Sequence, residues 1–132
     1  LIYDDYAHHP EEIRVTLRAF RDLYPDKKLS VIFHPHSFTR TEALLTEFAQ
    51  SFDDADAVRI LDIYGSARET EGNVSSQDLV ALLNRFFPGK AEYVSDSQGL
   101  AEEIEKTMGR NDVIITLGAG NVWEISHALV KR

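Results

Sequence analysis

The sequence predicts an α/β fold in three layers, with helices on both faces of a mainly parallel sheet of five or six strands. Two observations carry that expectation. Five short apolar, β-rich runs recur along the chain, at 1–4 (LIYD), 29–34 (LSVIFH), 57–63 (AVRILDI), 91–94 (AEYV) and 112–117 (DVIITL). Each is followed by a segment whose apolar residues fall at helical spacing. Strands that alternate with helices build a parallel sheet through right-handed crossovers, covered on both faces. The 132 residues form one domain, long enough to bury a core without staples.

The helices are marked in order. Pro10 is a good first helical residue, and Ile13, Leu17, Phe20 and Tyr24 share one face after it. Thr39-Arg-Thr-Glu42 reads as a capping box, opening a helix with the stripe Leu45, Phe48 and Phe52 and placing Arg40 at its first position. Ser75-Ser-Gln-Asp78 has the same form before Leu79, Leu82, Leu83 and Phe86. Residues 97–108 carry Leu100, Ile104 and Met108, and Gly109 stops them. Asn121-Val-Trp-Glu124 resembles a cap before Ile125, Ala128 and Leu129. The stretch 64–74 (YGSARETEGNV) is the longest irregular one, polar and expected to be mobile.

In such a Rossmann-like sheet every strand-to-helix loop leaves at the carboxyl ends of the strands, where these folds bind ligands. The loops gathered there contain Asp4, Asp5, Tyr6, His8 and His9, then His34, His36, Ser37, Thr39 and Arg40. Tyr64, Ser66 and Arg68 follow, then Gly118, Gly120 and Asn121. The helix-to-strand loops, Pro25-Asp-Lys-Lys and Pro88-Gly-Lys, read as plain turns. One edge is chemical and the other is not.

The totals exclude several functions. A formal net charge of −8 opposes a nucleic-acid or acidic-membrane partner. Without cysteine there is neither a disulfide framework nor a thiolate metal site. No apolar run approaches the roughly 20 residues of a membrane span and no signal peptide is visible, so the cytoplasm is the expected compartment. The chain starts at Leu1 inside an apolar run, without methionine, and reads as a piece of something longer.

Single motifs leave alternatives open. An aspartate or histidine of the first loop could simply cap the helix at Pro10. Arg40 opposes the dipole of its helix, so a carboxylate or phosphate ligand explains it better than capping does; the alternative is a surface pair with Glu42 or an aspartate. The histidines invite a metal-dependent hydrolase, yet no H-E-x-x-H or H-x-x-E-H spacing is present. Gly118-Ala-Gly-Asn121 could meet an anion but lacks the third glycine of a dinucleotide fingerprint. A response-regulator-like module using Asp4 and Asp5 would need a lysine where Gly118-Ala-Gly stands. No G-x-x-x-x-G-K-[ST] loop occurs, so this chain does not hold a triphosphate in that manner.

Together, DDYAHHPEEI, FHPHSFTRTEAL, DIYGSARE and ITLGAGNV, in that order and over essentially the whole chain, resemble the C-terminal domain of the Mur ligases. The P-H-x-[FY]-[ST]-R-T element points within the family to the alanine-adding members; a sister ligase that attaches recycled murein peptide shares a similar first motif. The resemblance implies an ATP-dependent ligase of peptidoglycan precursor synthesis that joins L-alanine to UDP-N-acetylmuramate through an acyl phosphate. It implies three domains, with ATP and Mg2+ held mainly by a central domain, a uridine-nucleotide domain before that, and this domain as an amino-acid-binding lid without activity of its own. By resemblance, Asp5 and Tyr6 face the nucleotide, His8 and His36 lie near the reacting centre, Arg40 holds the alanine carboxylate and Asn121 is on the substrate side. A histidine, with an ordinary pKa near ~6.5, is a candidate to take the alanine ammonium's proton. Ser37 stands where some members carry arginine, so Arg40 is expected to hold the carboxylate alone.

Overall fold

The computed structural model describes residues 1–65, 74–95 and 97–130. Five strands form one sheet: β1 (Ile2–Asp5), β2 (Lys28–Phe33), β3 (Ala57–Leu61), β4 (Ala91–Val94) and β5 (Asp112–Leu117), in the order β1-β5-β2-β3-β4. Every pairing is parallel. The helices are α1 (Pro10–Leu23), α2 (Phe38–Ala43), α3 (Leu45–Gln50), α4 (Ser76–Phe86), α5 (Leu100–Thr107) and α6 (Trp123–Val130). The sheet of five or six strands read from the sequence has five among the described residues.

Alternation along the central strands divides the core. Leu29, Val31 and Phe33 of β2, with Val113, Ile115 and Leu117 of β5, face a cluster that Ile13 and Leu17 of α1, Phe48 of α3 and Leu79 and Leu83 of α4 complete. Phe33 lies 5.6 Å from Phe48 and 5.4 Å from Phe52 between ring centroids, and fully burying such a side chain contributes about 1.5–3 kcal/mol. Ile32 and Ile114 point to the opposite face, where Leu100 and Ile104 of α5 and Ile125 and Leu129 of α6 cover them. The chain therefore leaves β1, β2 and β3 toward one face and β4 and β5 toward the other. Because β5 lies between β1 and β2, loops on adjacent strands diverge around it. A crevice opens at such a point.

Register keeps the carboxyl ends level. Asp5 pairs with Leu117, Leu117 with Phe33, Phe33 with Ile60, and Leu61 with Val94. The next residues along that row are Tyr6, Gly118 and His34, with Asp62 and Ser95 just beyond Leu61 and Val94.

Several boundaries differ from the sequence expectation. The N-cap of α2 is Ser37, whose Oγ accepts from the Arg40 N–H at 3.2 Å, so Thr39 is not the cap and Arg40 is the third helical residue. A helix expected to run on to Phe52 breaks at Leu44, whose φ of −116° and ψ of 24° end α2 and start α3. The break turns Phe48 and Ala49 into the core. The fifth helix starts at Leu100 after Gly99, not at 97, because Gly99 takes a left-handed φ of 78°. β1 ends one residue later than expected and β3 two residues earlier: Asp5 is still paired, while Asp62 and Ile63 lie in the loop. The Ser75 capping box with Asp78 forms as expected. Ser66 and Arg68, and most of the 64–74 stretch, lie outside the described residues.

Candidate functional site

The first loop holds two adjacent histidines in opposite roles. The Nδ1 atom of His9 accepts from the Glu11 N–H at 3.3 Å, and Glu12 Oε1 accepts from the His9 N–H at 3.1 Å, so His9 caps α1. An accepting Nδ1 leaves the ring proton on Nε2. His8 is the reverse. Its Nδ1 lies 3.0 Å from the Tyr6 carbonyl and 3.6 Å from Glu12 Oε1, both acceptors, so Nδ1 carries a proton and any lone pair is on Nε2. The Glu12 carboxyl also accepts the His8 N–H, and that hydrogen bond is the first reason it is held below the usual carboxylate value.

Asp5 Oδ1 accepts from the Ala7 N–H at 2.9 Å, which fixes the turn. Tyr6 is 68% exposed, with the His8 ring edge-on to it at 5.2 Å. Asp4, a candidate from the sequence, turns back to the sheet and accepts from the Thr116 hydroxyl at 2.6 Å.

The second loop is pinned to the third. His36 forms an isolated parallel bridge with Tyr64, the Ser37 N–H donates to the Tyr64 carbonyl at 2.7 Å, and the Tyr64 N–H donates to the Pro35 carbonyl at 2.8 Å. The rings follow the backbone: His36 stacks on Tyr64 at 5.2 Å, and His34 meets the same ring edge-on at 5.8 Å. Ser37 has a φ of 76°, alone among the described non-glycine residues in being positive. Such a conformation costs about 1–3 kcal/mol and persists only where neighbours hold it. Here the Ser37 carbonyl also accepts from the Thr41 N–H and hydroxyl, at 3.1 and 2.8 Å.

Arg40 sits half-buried in the first turn of α2, and among the described residues no carboxylate, Glu42 included, forms an ion pair with it. A planar guanidinium with no carboxylate partner among the described residues suits a carboxylate ligand. Asn121 is exposed in the β5–α6 turn.

Sequence reasoning placed His34 in the second loop but did not foresee its burial, and it passed over Asp62. His34 is buried, at 8% exposure, with no partner for Nδ1 among the described residues. Burial, and then the charge of His36, push its pKa below the ordinary histidine value, while Asp62 opposes them. The glycines beside it are shaped around this ring: a Cβ on Gly118 would meet the His34 carbonyl at 2.9 Å, and one on Gly120 would meet His34 Nδ1 at 2.9 Å. Asp62, hidden in the apparent strand 57–63, accepts from the Tyr93 hydroxyl at 2.5 Å. Its signal was a charged residue at the end of a strand whose alternation had already finished.

Among the described residues no three histidine, aspartate or glutamate side chains gather as metal ligands. No helix among them is long and apolar enough to cross a membrane.

Residues 1–120 match the family described as Mur ligase, glutamate ligase domain. A UDP-N-acetylmuramate–L-alanine ligase of Caldanaerobacter subterraneus subsp. tengcongensis is 43% identical over 132 residues, covering 99% of this chain and 28% of the relative. The chain thus spans between a quarter and a third of the curated relatives it matches. The crystal structure of UDP-N-acetylmuramate-alanine ligase MurC from Thermotoga maritima superposes with a TM-score of 0.71 at 27% identity, covering 99% of this chain and 26% of that one. A murein peptide ligase from Psychrobacter arcticus gives 0.80 at 23% identity, with 99% of this chain and 27% of that one covered, a likeness of fold. The family pattern runs through both histidine loops and on to the glycine turn of the switch-point edge, and by it this chain belongs to the Mur ligase family.

Proposed function

We propose that this chain is the C-terminal, amino-acid-side domain of a three-domain, ATP-dependent ligase that adds L-alanine to UDP-N-acetylmuramate. The observation that carries the reading is Arg40: a half-buried guanidinium with no ion pair among the described residues, on the same edge as His8 with its lone pair on Nε2. Relatives of this name cover the chain almost completely.

In this reading Arg40 holds the alanine carboxylate in its planar fork, and a lysine would not reproduce that geometry. His8 and His36 flank the reacting centre. His8 Nε2 can take a proton from the incoming ammonium, and the stack on Tyr64 fixes the ring of His36. Asn121 contributes from the substrate side. Asp5 and the exposed ring of Tyr6 suit a nucleotide's ribose and base: the ring offers a flat apolar face, and Asp5 Oδ1 is already anchored by Ala7. ATP, when bound, supplies the phosphoryl group that activates the carboxylate of the sugar nucleotide; Mg2+ and the phosphates belong to the preceding domain, since no phosphate-binding glycine loop with its lysine occurs here. A lid bringing these groups to a preassembled site excludes water and aligns the amine. The cytoplasm, where the precursor is made, is the proposed compartment.

The test is a ligation assay on the complete polypeptide with UDP-N-acetylmuramate, ATP, Mg2+ and L-alanine, reading phosphate release that requires all of them. Phosphate release independent of L-alanine would overturn the reading. The isolated chain is expected to ligate nothing.

A further inference from the structure

The regular pairing of β2 with β3 ends at Phe33 and Ile60, yet it resumes once beyond the sheet, at His36 and Tyr64. Between the two, Pro35 has no N–H to offer, and its carbonyl accepts the Tyr64 N–H at 2.8 Å. The Ser37 N–H donates in turn to the Tyr64 carbonyl at 2.7 Å. The backbone of Tyr64 is thereby tied to the loop that carries His36, Ser37 and Arg40.

The ring is not spent on the core. Aromatic side chains contribute most where they are buried, but Tyr64 belongs to neither core cluster and is 52% exposed. It meets two histidines instead. It stacks on His36 at 5.2 Å, with 26° between the planes, and lies edge-on to His34 at 5.8 Å and 82°. His34 is itself buried against Gly118 and Gly120, so the Tyr64 ring rests on a packed base. An imidazole lying on an aromatic face is held there by dispersion and, once protonated, by attraction to the ring's negative face. The half-buried His36 is therefore restricted in orientation by a neighbour that is anchored at both ring and backbone. Both contacts are made ring to ring, and neither needs the hydroxyl.

We propose that Tyr64 is a positioning residue for ligation that acts through His36: its backbone locks the third loop to the second, and its ring sets the orientation of the His36 imidazole. The proposal rests on the ligase reading, which puts His36 beside the reacting centre, and extends it to a residue that works only through its neighbour. Two dependences then separate within one loop. Arg40 leans on Ser37, whose Oγ accepts the Arg40 N–H at 3.2 Å, and Ser37 leans on the Tyr64 backbone. His36 leans on the Tyr64 ring. Loss of the ring alone should disturb the chemical step and leave the hold on the alanine carboxylate intact.

The experiment is steady-state kinetics of the complete enzyme and its Tyr64→Leu and Tyr64→Phe variants, beside histidine-ring NMR of the same proteins. Tyr64→Leu is expected to lower kcat about tenfold, within what a small misplacement of a reacting group costs. The KM for L-alanine should stay within about twofold, because Arg40 keeps its backbone support. Tyr64→Phe, which keeps the ring, should restore kcat. The His36 ring signal, assigned by its loss in His36→Gln, should move in Tyr64→Leu, where the ring current is gone, and stay in place in Tyr64→Phe. Tyr64 lies outside both core clusters, so the Tm should hold in both variants; if Tyr64→Leu does not fold, Tyr64→Gln makes the same comparison. A wild-type enzyme that ligates alanine beside a Tyr64→Leu variant with unchanged kcat would overturn the proposal and leave the ligase reading standing. So would a raised alanine KM at unchanged kcat, or an equal loss of kcat in Tyr64→Phe. Should the wild type not ligate alanine, the ligase reading falls and the NMR comparison decides alone. A His36 signal that moves in Tyr64→Leu and not in Tyr64→Phe would support the positioning of His36 by the ring; one that stays in place in Tyr64→Leu would overturn it.

Discussion

The two edges of the sheet spend their polar groups differently. At the amino ends of the strands, Arg21 donates to the carbonyls of Lys27 and Asp54 and to Asp56 Oδ2, at 2.9, 2.8 and 2.7 Å. Lys90 donates to the carbonyls of Phe52 and Asp53, both at 3.1 Å, with the Phe87 ring 4.3 Å beneath it. Asn84 closes both the N–H and the carbonyl of Ala91. At the carboxyl ends, among the described residues, Arg40 has no ion pair and His34 Nδ1 no partner, and Ser37 is held at a positive φ. Charges at one edge are consumed by the fold; at the other they are left over. Unused donors and local strain on an otherwise satisfied scaffold are the mark of a site.

The largest expected effect strikes where the two uses meet. Gly118 has a φ of 146° and lies where a Cβ would come within 2.9 Å of the His34 carbonyl, which is backbone and cannot move aside. Gly118→Ala should therefore cost about 3 kcal/mol of stability from strain and overpacking, seen as a lowered Tm. Gly120→Ala, which meets only the His34 ring, should cost less. Equal losses at both positions would mean that the ring, not the backbone, sets the limit.

Exchanging the fates of two arginines tests the comparison directly. In the complete ligase, Arg40→Ala should weaken use of L-alanine about 10- to 100-fold, the worth of hydrogen bonds to a charged ligand. The KM for UDP-N-acetylmuramate and the Tm should hardly change. Arg40→Lys should rescue only partly. Arg21→Ala should do the opposite, costing about 2 kcal/mol of stability because it strands Asp56 and two carbonyls, with alanine KM unchanged at temperatures where the enzyme is folded. Loss of alanine use in the Arg21 variant would erase the distinction between the edges.

Acid should also reach the structural edge, below the range in which His34 and Glu12 begin to respond. Burial alone would raise the Asp56 carboxyl, but hydrogen bonds from Arg21 and the Leu29 N–H, with the charges of Arg21 and Lys90, hold it below its ordinary value of 3.8. A depressed carboxylate contributes stability that is present above the unfolded pKa and is lost as pH falls through the folded one. Denaturation followed from pH 6 downward should show stability falling below about pH 4. In Asp56→Asn that part of the slope should be missing.

Much of this was legible in the sequence. Five strands, their parallel order of connection and the gathering of His8, His36, Arg40 and Asn121 in strand-to-helix segments all follow from alternation, because apolar period and turn chemistry agree along the chain. What escaped notice depends on contacts between segments distant in sequence. Ser37 displaced Thr39 as the cap because its backbone is tied to Tyr64, 27 positions on. Asp62 looked like part of a strand until β4 ended opposite Leu61 and freed it. The glycines of the last turn suggested an anion site, whereas their absent side chains make room for His34.

The smallest expected effect separates the adjacent histidines of the first loop. His9 accepts the Glu11 N–H, a donor that α1 would otherwise leave unpaired, so His9 acts as a helix cap. Removing a cap costs about 1 kcal/mol. His9→Ala should thus lower stability by about that amount, and His9→Asn, which can cap in the same way, should restore most of it. Neither should alter ligation kinetics in the complete enzyme, because the Nδ1 of His9 is already engaged and the cap serves only the helix. His8 makes no such cap; its Nδ1 is spent on the Tyr6 carbonyl. Thermal denaturation beside alanine-dependent kinetics of both His9 variants is the measurement. A His9→Ala enzyme as stable as the wild type but impaired in kcat would reverse the assignment and make His9, rather than His8, the histidine of the site.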